Sequence, residues 1–376
     1  MAVGALRLWA GEAPAPVFAA IGEGMRDRVD LLFTDTRLER VATPRHAAIF
    51  LVAGPMRHED REDLRRLHDQ LPHPRATLLW NAGVGEALGS ADILGVDTPA
   101  ADRLVRLWAR LASGDRRSEP DLLKDVPPNP WQAIGPHGQG GKGMMGGTPY
   151  GRPMAMTADD WRDGLALDAY TARFGPFLPM FPPGLLLEMT LQGDVIQSVR
   201  VLRPPLMQEP GQDGPAAARL RLARLLDLLG LPALGQRTRL AAGDPPAPAF
   251  QGLKRAIRWS GAALAIPPGL GAIEGQDVRA RLSDLLALVD GATAAPRPDL
   301  PASAHLSSLL PGLEWSEAML LLNSFDDERL AALAVVKDEA DEDGDGHEDT
   351  GHRHHDRSDR HGHGGHDHDV DHGGGP

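Results

Sequence analysis

The chain has no cysteine among its 376 residues, so it forms no disulfide and offers no thiolate to an iron–sulfur or nickel–iron centre. That absence also fits a reducing compartment. Aromatic residues are few, 5% of the chain, whereas 43 Gly and 33 Pro predict many turns and long connections rather than packed repeats. Long apolar runs are missing too. Runs such as 47–53 and 184–187 fall far short of a bilayer span, and residues 1–20 are broken by Gly11, Glu12 and two prolines where a signal peptide needs a continuous apolar core. The expectation is a soluble cytoplasmic chain.

The net charge of −13 is unevenly spread. Residues 338–376 hold thirteen Asp and Glu against three Arg, which leaves the body near neutral. No basic face is expected, so nucleic acid is excluded as a partner.

Length and texture divide the chain into four parts. Residues 1–112 read as an α/β layer. Ala47-Ala-Ile-Phe-Leu-Val-Ala53, ending in Gly54-Pro55, has the pattern of a buried parallel strand. Leu64, Leu67 and Leu71 recur at helical spacing until Pro72 stops the helix, residues 76–80 form a second strand, and 100–112 a second amphipathic helix. Strand and helix in alternation predict a doubly wound layer. Residues 113–160 are a Pro- and Gly-rich linker or arm. Residues 161–337 begin with two β-rich runs around Gln192-Gly-Asp194, a hairpin signal, and continue as helices at 216–229, 276–289 and 316–322. Residues 338–376 lack any core-forming segment and are expected to be disordered.

Two segments resemble a known family. Thr43-Pro-Arg-His-Ala-Ala-Ile-Phe-Leu-Val-Ala-Gly-Pro55, with Leu64-Arg-Arg-Leu-His-Asp-Gln-Leu-Pro-His-Pro74 and the turn at Trp80-Asn-Ala-Gly83, resembles the small, cluster-carrying subunit of respiratory complex I (NADH-quinone oxidoreductase) and of energy-converting NiFe hydrogenases. Phe174-Gly-Pro-Phe-Leu-Pro-Met-Phe-Pro-Pro-Gly-Leu-Leu-Leu-Glu-Met-Thr-Leu-Gln-Gly-Asp-Val-Ile196 is similar to the start of the large subunit, where Gly-Pro-x-His-Pro leads into a hairpin lining the quinone cavity. Gly275-Gln-Asp-Val-Arg-Ala-Arg-Leu282 is a weaker match to a large-subunit helix start.

The resemblance implies two peripheral subunits fused in one chain with their cofactor sites erased. The family's cluster thiolates would fall in 81–84 and 96–100, which hold none, and Leu178 stands where the first quinone-site histidine would be. Asp97 reads as a turn or capping residue rather than a metal ligand. A chain of this kind is expected to be a redox-inert pseudo-subunit, not catalytic by itself. Its expected partners are antiporter-like, ion-translocating membrane subunits, through which it would lie on the inner face of the cytoplasmic membrane. No iron–sulfur cluster and no other cofactor is expected in the body.

Two further stretches invite chemistry. Residues 135–153 are glycine-rich, and Gly138, Gly140 and Gly143 have dinucleotide-loop spacing, but they follow a Pro-rich segment rather than a strand. A P-loop register fails, because Pro136 sits where its first Gly belongs and Gly143 where Ser or Thr belongs. The reading is a hinged partner-contact arm, with Gly138, Gly140, Lys142, Met144, Met145, Tyr150 and Arg152 against a neighbouring subunit or the body itself. In the tail, His347, His352, His354, His355, His361, His363, His366, His368 and His372 are interleaved with Asp and suit Ni²⁺ or Zn²⁺. They support a second reading, a metal-handling accessory protein. Of the body histidines, His58 and His68 are expected to be solvated on a charged helix, and Glu188 is the carboxylate nearest the large-subunit-like loop.

Overall fold

In the computed structural model the described residues are 12–89, 91–124, 156–158, 167–208, 214–243, 247–289, 300–301 and 303–336. Three of the apolar runs among them form the buried core of a parallel sheet. Its strands are β1 (Ala15–Ile21), β2 (Leu38–Arg40), β3 (Ile49–Ala53), β4 (Ala76–Trp80) and β5 (Asp92–Leu94), in the order β2-β1-β3-β4-β5. The strand β1 is one that sequence pattern alone misses, because Pro16 removes a ladder donor. Pairing of β1 with β3 begins only at Val17 opposite Ile49, so the proline falls ahead of the two-sided ladder. Its carbonyl still accepts from the Ala48 N–H at 3.0 Å.

Strand alternation sends side chains to two cores. Val17, Ile21, Ile49, Leu51, Leu78 and Trp80 meet Val29 of helix α1 (Arg26–Leu32) and Leu104, Leu107 and Leu111 of α3 (Ala100–Ser113). Phe18, Phe50, Val52 and Leu79 point the other way, onto Leu64 of α2 (Arg61–Gln70). Both faces are therefore covered, as parallel sheets require. Gly114, at φ 85°, ends α3, and Leu71 leaves α2 in extended conformation one residue before Pro72.

A second, antiparallel sheet comes next: β6 (Met156–Ala158), β7 (Leu167–Phe174), β8 (Leu186–Gln192) and β9 (Val195–Arg203), paired in sequence order. The hairpin expected around residue 193 is β8–β9, with Gly193 at φ 63° in its turn. The helices are α4 (Pro215–Leu228), α5 (Pro232–Gly243), α6 (Ala247–Trp259), α7 (Ala262–Ala265), α8 (Val278–Leu288), α9 (Leu306–Leu309), α10 (Trp315–Ser324) and α11 (Asp327–Leu333). Leu187, Met189, Ile196 and Val201 of the hairpin share one core with Leu222 and Leu226 of α4, Leu282 of α8 and Leu321 of α10. The fold is thus mixed α/β, with a parallel five-stranded sheet and helices. The chain divides into two units, Met1–Lys337 and Asp338–Pro376, the second wholly outside the described residues.

In open α/β sheets the crevice beyond the strand ends, where strand order reverses, is the usual ligand site. Here that point lies between β1 and β3, and the chain fills it itself. Gly22 N–H donates to Ala53 O at 2.6 Å, and Gly54 N–H to Trp80 O at 2.8 Å. The Gln208 side chain donates to Gly22 O at 3.2 Å and accepts from the Arg26 N–H at 3.0 Å, while Gly24 N–H reaches Met207 O. Gly54 sits at φ 91°, and a Cβ there would lie 2.7 Å from both Glu23 O and Met25 Cγ. Gly54→Ala is expected to lower unfolding free energy by about 1–3 kcal/mol from strain and overpacking. Gly193→Ala, whose Cβ meets nothing within 4 Å, should cost less, about 1 kcal/mol for its left-handed backbone alone. Urea unfolding of the two variants checks the ranking, and equal midpoints would contradict the close approach at Gly54.

Candidate functional site

A cavity of about 470 Å³ opens beside the filled crevice, between the parallel sheet and the helical body. One wall is charged. Asp30 of α1, 2% exposed, accepts from Arg40 Nη1 at 2.8 Å and from Arg224 Nε of α4 at 2.7 Å. Arg224 also pairs with Asp27, and Arg239 of α5 with Asp227. Arg26, itself 8% exposed, donates from Nη2 to Asn323 Oδ1 of α10 at 2.7 Å and lies 3.4 Å from Asp327. The arginines of this wall therefore each have an anionic or amide acceptor, as buried cations must.

The electrostatics reflect that pairing. Burial alone would push the Asp30 carboxyl up, but Arg224, Arg40, Arg239 and Arg26 outweigh it and hold the pKa at about 2. Burial and the neighbouring Arg224 bring Arg26 down to about 10, which leaves it protonated at neutral pH. For Arg224 the pull of Asp30, Asp27 and Asp327 exceeds the burial cost, and its pKa rises.

The opposite wall is apolar and comes from residues 176–183, the connection between β7 and β8. Gly184 N–H donates to Pro176 O at 2.9 Å and closes this loop on itself. Phe177, 6% exposed, enters the core of Phe18, Phe50 and Val52. Phe181, 3% exposed, enters the other core and stacks on Trp315 at 5.8 Å between ring centroids. Leu178 and Met180, 38% and 48% exposed, stand at the mouth. Asn323 Nδ2 donates to Met180 O at 2.9 Å, so one amide ties the loop to α10 and, through Oδ1, to Arg26. Arg57 fastens the far end, donating to Gly184 O at 3.3 Å and Pro204 O at 2.7 Å.

Of the described residues singled out in the sequence, Leu178 lines this site, whereas Asp97, Glu188 and His68 do not. Gly138, Gly140, Lys142, Met144, Met145, Tyr150 and Arg152, and all nine tail histidines from His347 to His372, lie outside the described residues. Glu188 sits in β8, held across strands by Arg200 at 2.7 Å and Arg173 at 3.4 Å, and the Arg200 hydrogen bond keeps its carboxyl low. Asp97 is exposed in a turn. His68 is not solvated as expected but 1% exposed, because its position on α2 shares the face of Leu64. Its Nδ1 lies 2.7 Å from Asp69 Oδ1 and its Nε2 3.3 Å from Glu119 Oε2. Glu119 also accepts from Thr77 N–H at 2.9 Å and Thr77 Oγ1 at 2.7 Å, a clasp that fixes residues 116–123 on β4. Among the described residues, no group of three His, Asp or Glu is arranged to hold a metal ion.

The charged wall itself is not legible as a motif. One signal was available: Arg224 lies on a helix whose leucines occupy every side, and a cation on such a helix needs a buried partner.

Two outcomes test the site. Phe177→Ala should cost about 3–5 kcal/mol in equilibrium unfolding, the range for a buried aromatic truncation, and a loss below 1 kcal/mol would mean the ring does not bridge into the sheet core. Asp30→Asn leaves Arg224 and Arg40 short of an anion and should cost about 3–5 kcal/mol near neutral pH. Because the native Asp30 pKa lies below that of an unfolded aspartate, the native chain binds fewer protons than the unfolded chain in between, so its advantage falls with falling pH. The native-minus-variant difference should be full above about pH 4 and fade towards about pH 2, measured by urea titration at each pH. A pH-independent difference would contradict the pairing.

No protein-family model matches the chain, and no curated protein matches it either.

Proposed function

We propose that this chain is a redox-inert structural or coupling subunit of a membrane-associated, ion-translocating assembly related to complex I and energy-converting hydrogenase. In this reading it stands in the place of the joined small and large peripheral subunits and lies on the cytoplasmic face of the membrane, docked on antiporter-like subunits. One observation carries the proposal. The loop at 175–183, whose sequence resembles the quinone-cavity loop of the large subunit, is seated beside the carboxyl ends of strands whose sequence resembles the small subunit, with Phe177 in one core and Phe181 in the other. Two segments that resemble separate subunits thereby share one core, in which Phe177 lies with Phe50 and Val52.

The residues at the ancestral cofactor positions do not fit a cluster or a proton-donating quinone site. Asn81, at φ 55°, donates its N–H to Leu94 O, and Thr98 N–H closes a turn on Gly95 O; neither segment presents a soft ligand. Leu178 has no proton to give. Charge around the cavity is spent in pairs, Arg224 with Asp27 and Asp30 across the two halves and Arg40 with Asp30 and Arg239 with Asp227 within them, which supports a scaffold rather than a catalyst.

Affinity purification of the full chain from detergent-solubilised membranes, read by mass spectrometry, should recover multi-span ion-translocating subunits, and a chain ending at Lys337 should recover them equally. Purified protein should lack cluster absorption in the visible range. Recovery of no membrane protein, or a stoichiometric iron centre on this polypeptide, would overturn the proposal. Loss of the partners on removing 338–376 would instead favour the metal-handling reading.

A further inference from the structure

Residues 245–273 contain no Asp or Glu in a chain whose net charge is −13, but they hold Lys254, Arg255 and Arg258. Helix α6 runs through them. Its Leu253 and Ile257 are buried at 2% and 1%, whereas Arg255 and Arg258 are exposed on the other side. At its end the apolar pattern inverts. Trp259 is 84% exposed, and Leu264 on α7 is 82% exposed. An indole and an isobutyl group are thus held in solvent within six residues of one another, flanked by basic side chains.

The tip is built rather than frayed. Ala262, Ile266 and Leu270 are buried beneath it, so Trp259 and Leu264 are the side chains left over after the core is filled. Arg279 of α8 donates from Nε to Ile266 O at 2.5 Å and from Nη2 to Leu264 O at 3.4 Å, which pins the backbone that presents Leu264. This brings a further guanidinium to the base of the tip. The nearby carboxylate of Asp277 is committed to the N–H groups of Ala280 at 2.8 Å and Gly269 at 2.9 Å.

We infer that this tip docks directly on an anionic lipid surface, with Trp259 and Leu264 entering the headgroup–acyl boundary and Arg255 and Arg258 facing lipid phosphates. Tryptophan favours that boundary because its ring is apolar and its N–H is polar. Long basic side chains cover apolar surface while keeping their charge at the headgroups. The chain's overall negative charge does not prevent this, since the Debye length at physiological salt is about 8 Å and the local cations dominate at contact. Two protruding side chains offer far less area than the roughly 1,200–2,000 Å² of a stable protein interface, but they suffice as one anchor where a charged surface adds the rest. Lipid docking by the tip rests on its composition and not on the subunit proposal.

The test is co-sedimentation of the purified full chain with phosphatidylcholine vesicles, with and without added phosphatidylserine. Binding is expected only with the anionic lipid and should weaken with added salt. W259A/L264A should reduce the partition coefficient at least about tenfold, as should R255E/R258E, given about fivefold per basic residue near an anionic surface. Brominated acyl chains should quench tryptophan fluorescence in the native chain and not in W259F. All these positions are solvent-exposed, so circular dichroism and the unfolding midpoint should match the native chain. The proposal falls if anionic vesicles do not bind the protein, if both double variants bind like the native chain, or if quenching persists in W259F. It falls equally if the tip variants lose a membrane protein from a detergent extract while the native chain ignores vesicles, because the tip is then a protein contact. Vesicles contain no protein, so failure here leaves the co-purification result standing, and the reverse also holds.

Discussion

Asp30 is the buried charge on which the docking of the two halves turns. It is a carboxylate on the second turn of α1, sealed from water, with Arg40 from its own half on one oxygen and Arg224 from the helical body on the other. Taking such charges out of water costs several kcal/mol per ion, and mutual attraction repays this only where geometry is good and the remaining donors find acceptors. At an effective dielectric of 20, two unit charges 4 Å apart attract by about 4 kcal/mol, so the seam roughly breaks even. Its effect is selectivity. A displaced helical body would separate Arg224 from Asp30 and Asp27 and leave Asp30 with Arg40 alone. Net association comes instead from the apolar staple, since Phe177 and Phe181 each bury a ring in a different core.

The filled switch point is a consequence of the same arrangement. Once α1 is fixed by Asp30 and Arg26, the backbone at 22–26 presents the Gly22 carbonyl and the Arg26 N–H towards residues 203–208, and the Gln208 amide satisfies both. Arg203, paired with Asp60 and with Asp63 at 2.7 Å, anchors the other side of that segment to the start of α2. A crevice that elsewhere admits a nucleotide or a flavin is here closed by the chain's own polar groups. The cavity lies beside it, and the charged side chains that line it already have partners.

How much of this could be read from the sequence depended on how local the cause was. Strand β4 and the helices α2 and α3 are written in short-range patterns of leucine and alanine, and the hairpin in the turn chemistry at Gly193, so each was found within a residue or two. Strand β1 was hidden by Pro14 and Pro16, and β7 by the mixed polarity of Leu167–Phe174, whose register is set by β8. His68 shares the buried face of Leu64, but the carboxylate that accepts it there, Glu119, is 51 positions away and in no window around α2. The charged seam is more distant still: Arg224 meets Asp27 across 197 positions. Periodicity assigns an arginine to a helix, but not the carboxylate it will face.

The staple and the seam together determine what kind of motion the molecule can support. Phe177 and Phe181 are four residues apart on a loop that is closed by its own hydrogen bond and clamped by Asn323 and Arg57. A hinge needs a segment that absorbs dihedral change, and this connection has little freedom to do so. Close-packed cores on either side switch between discrete packings rather than deforming smoothly. Displacement of the helical body at this loop therefore bears on the packed core of Phe177, Phe18 and Phe50 rather than on a slack segment.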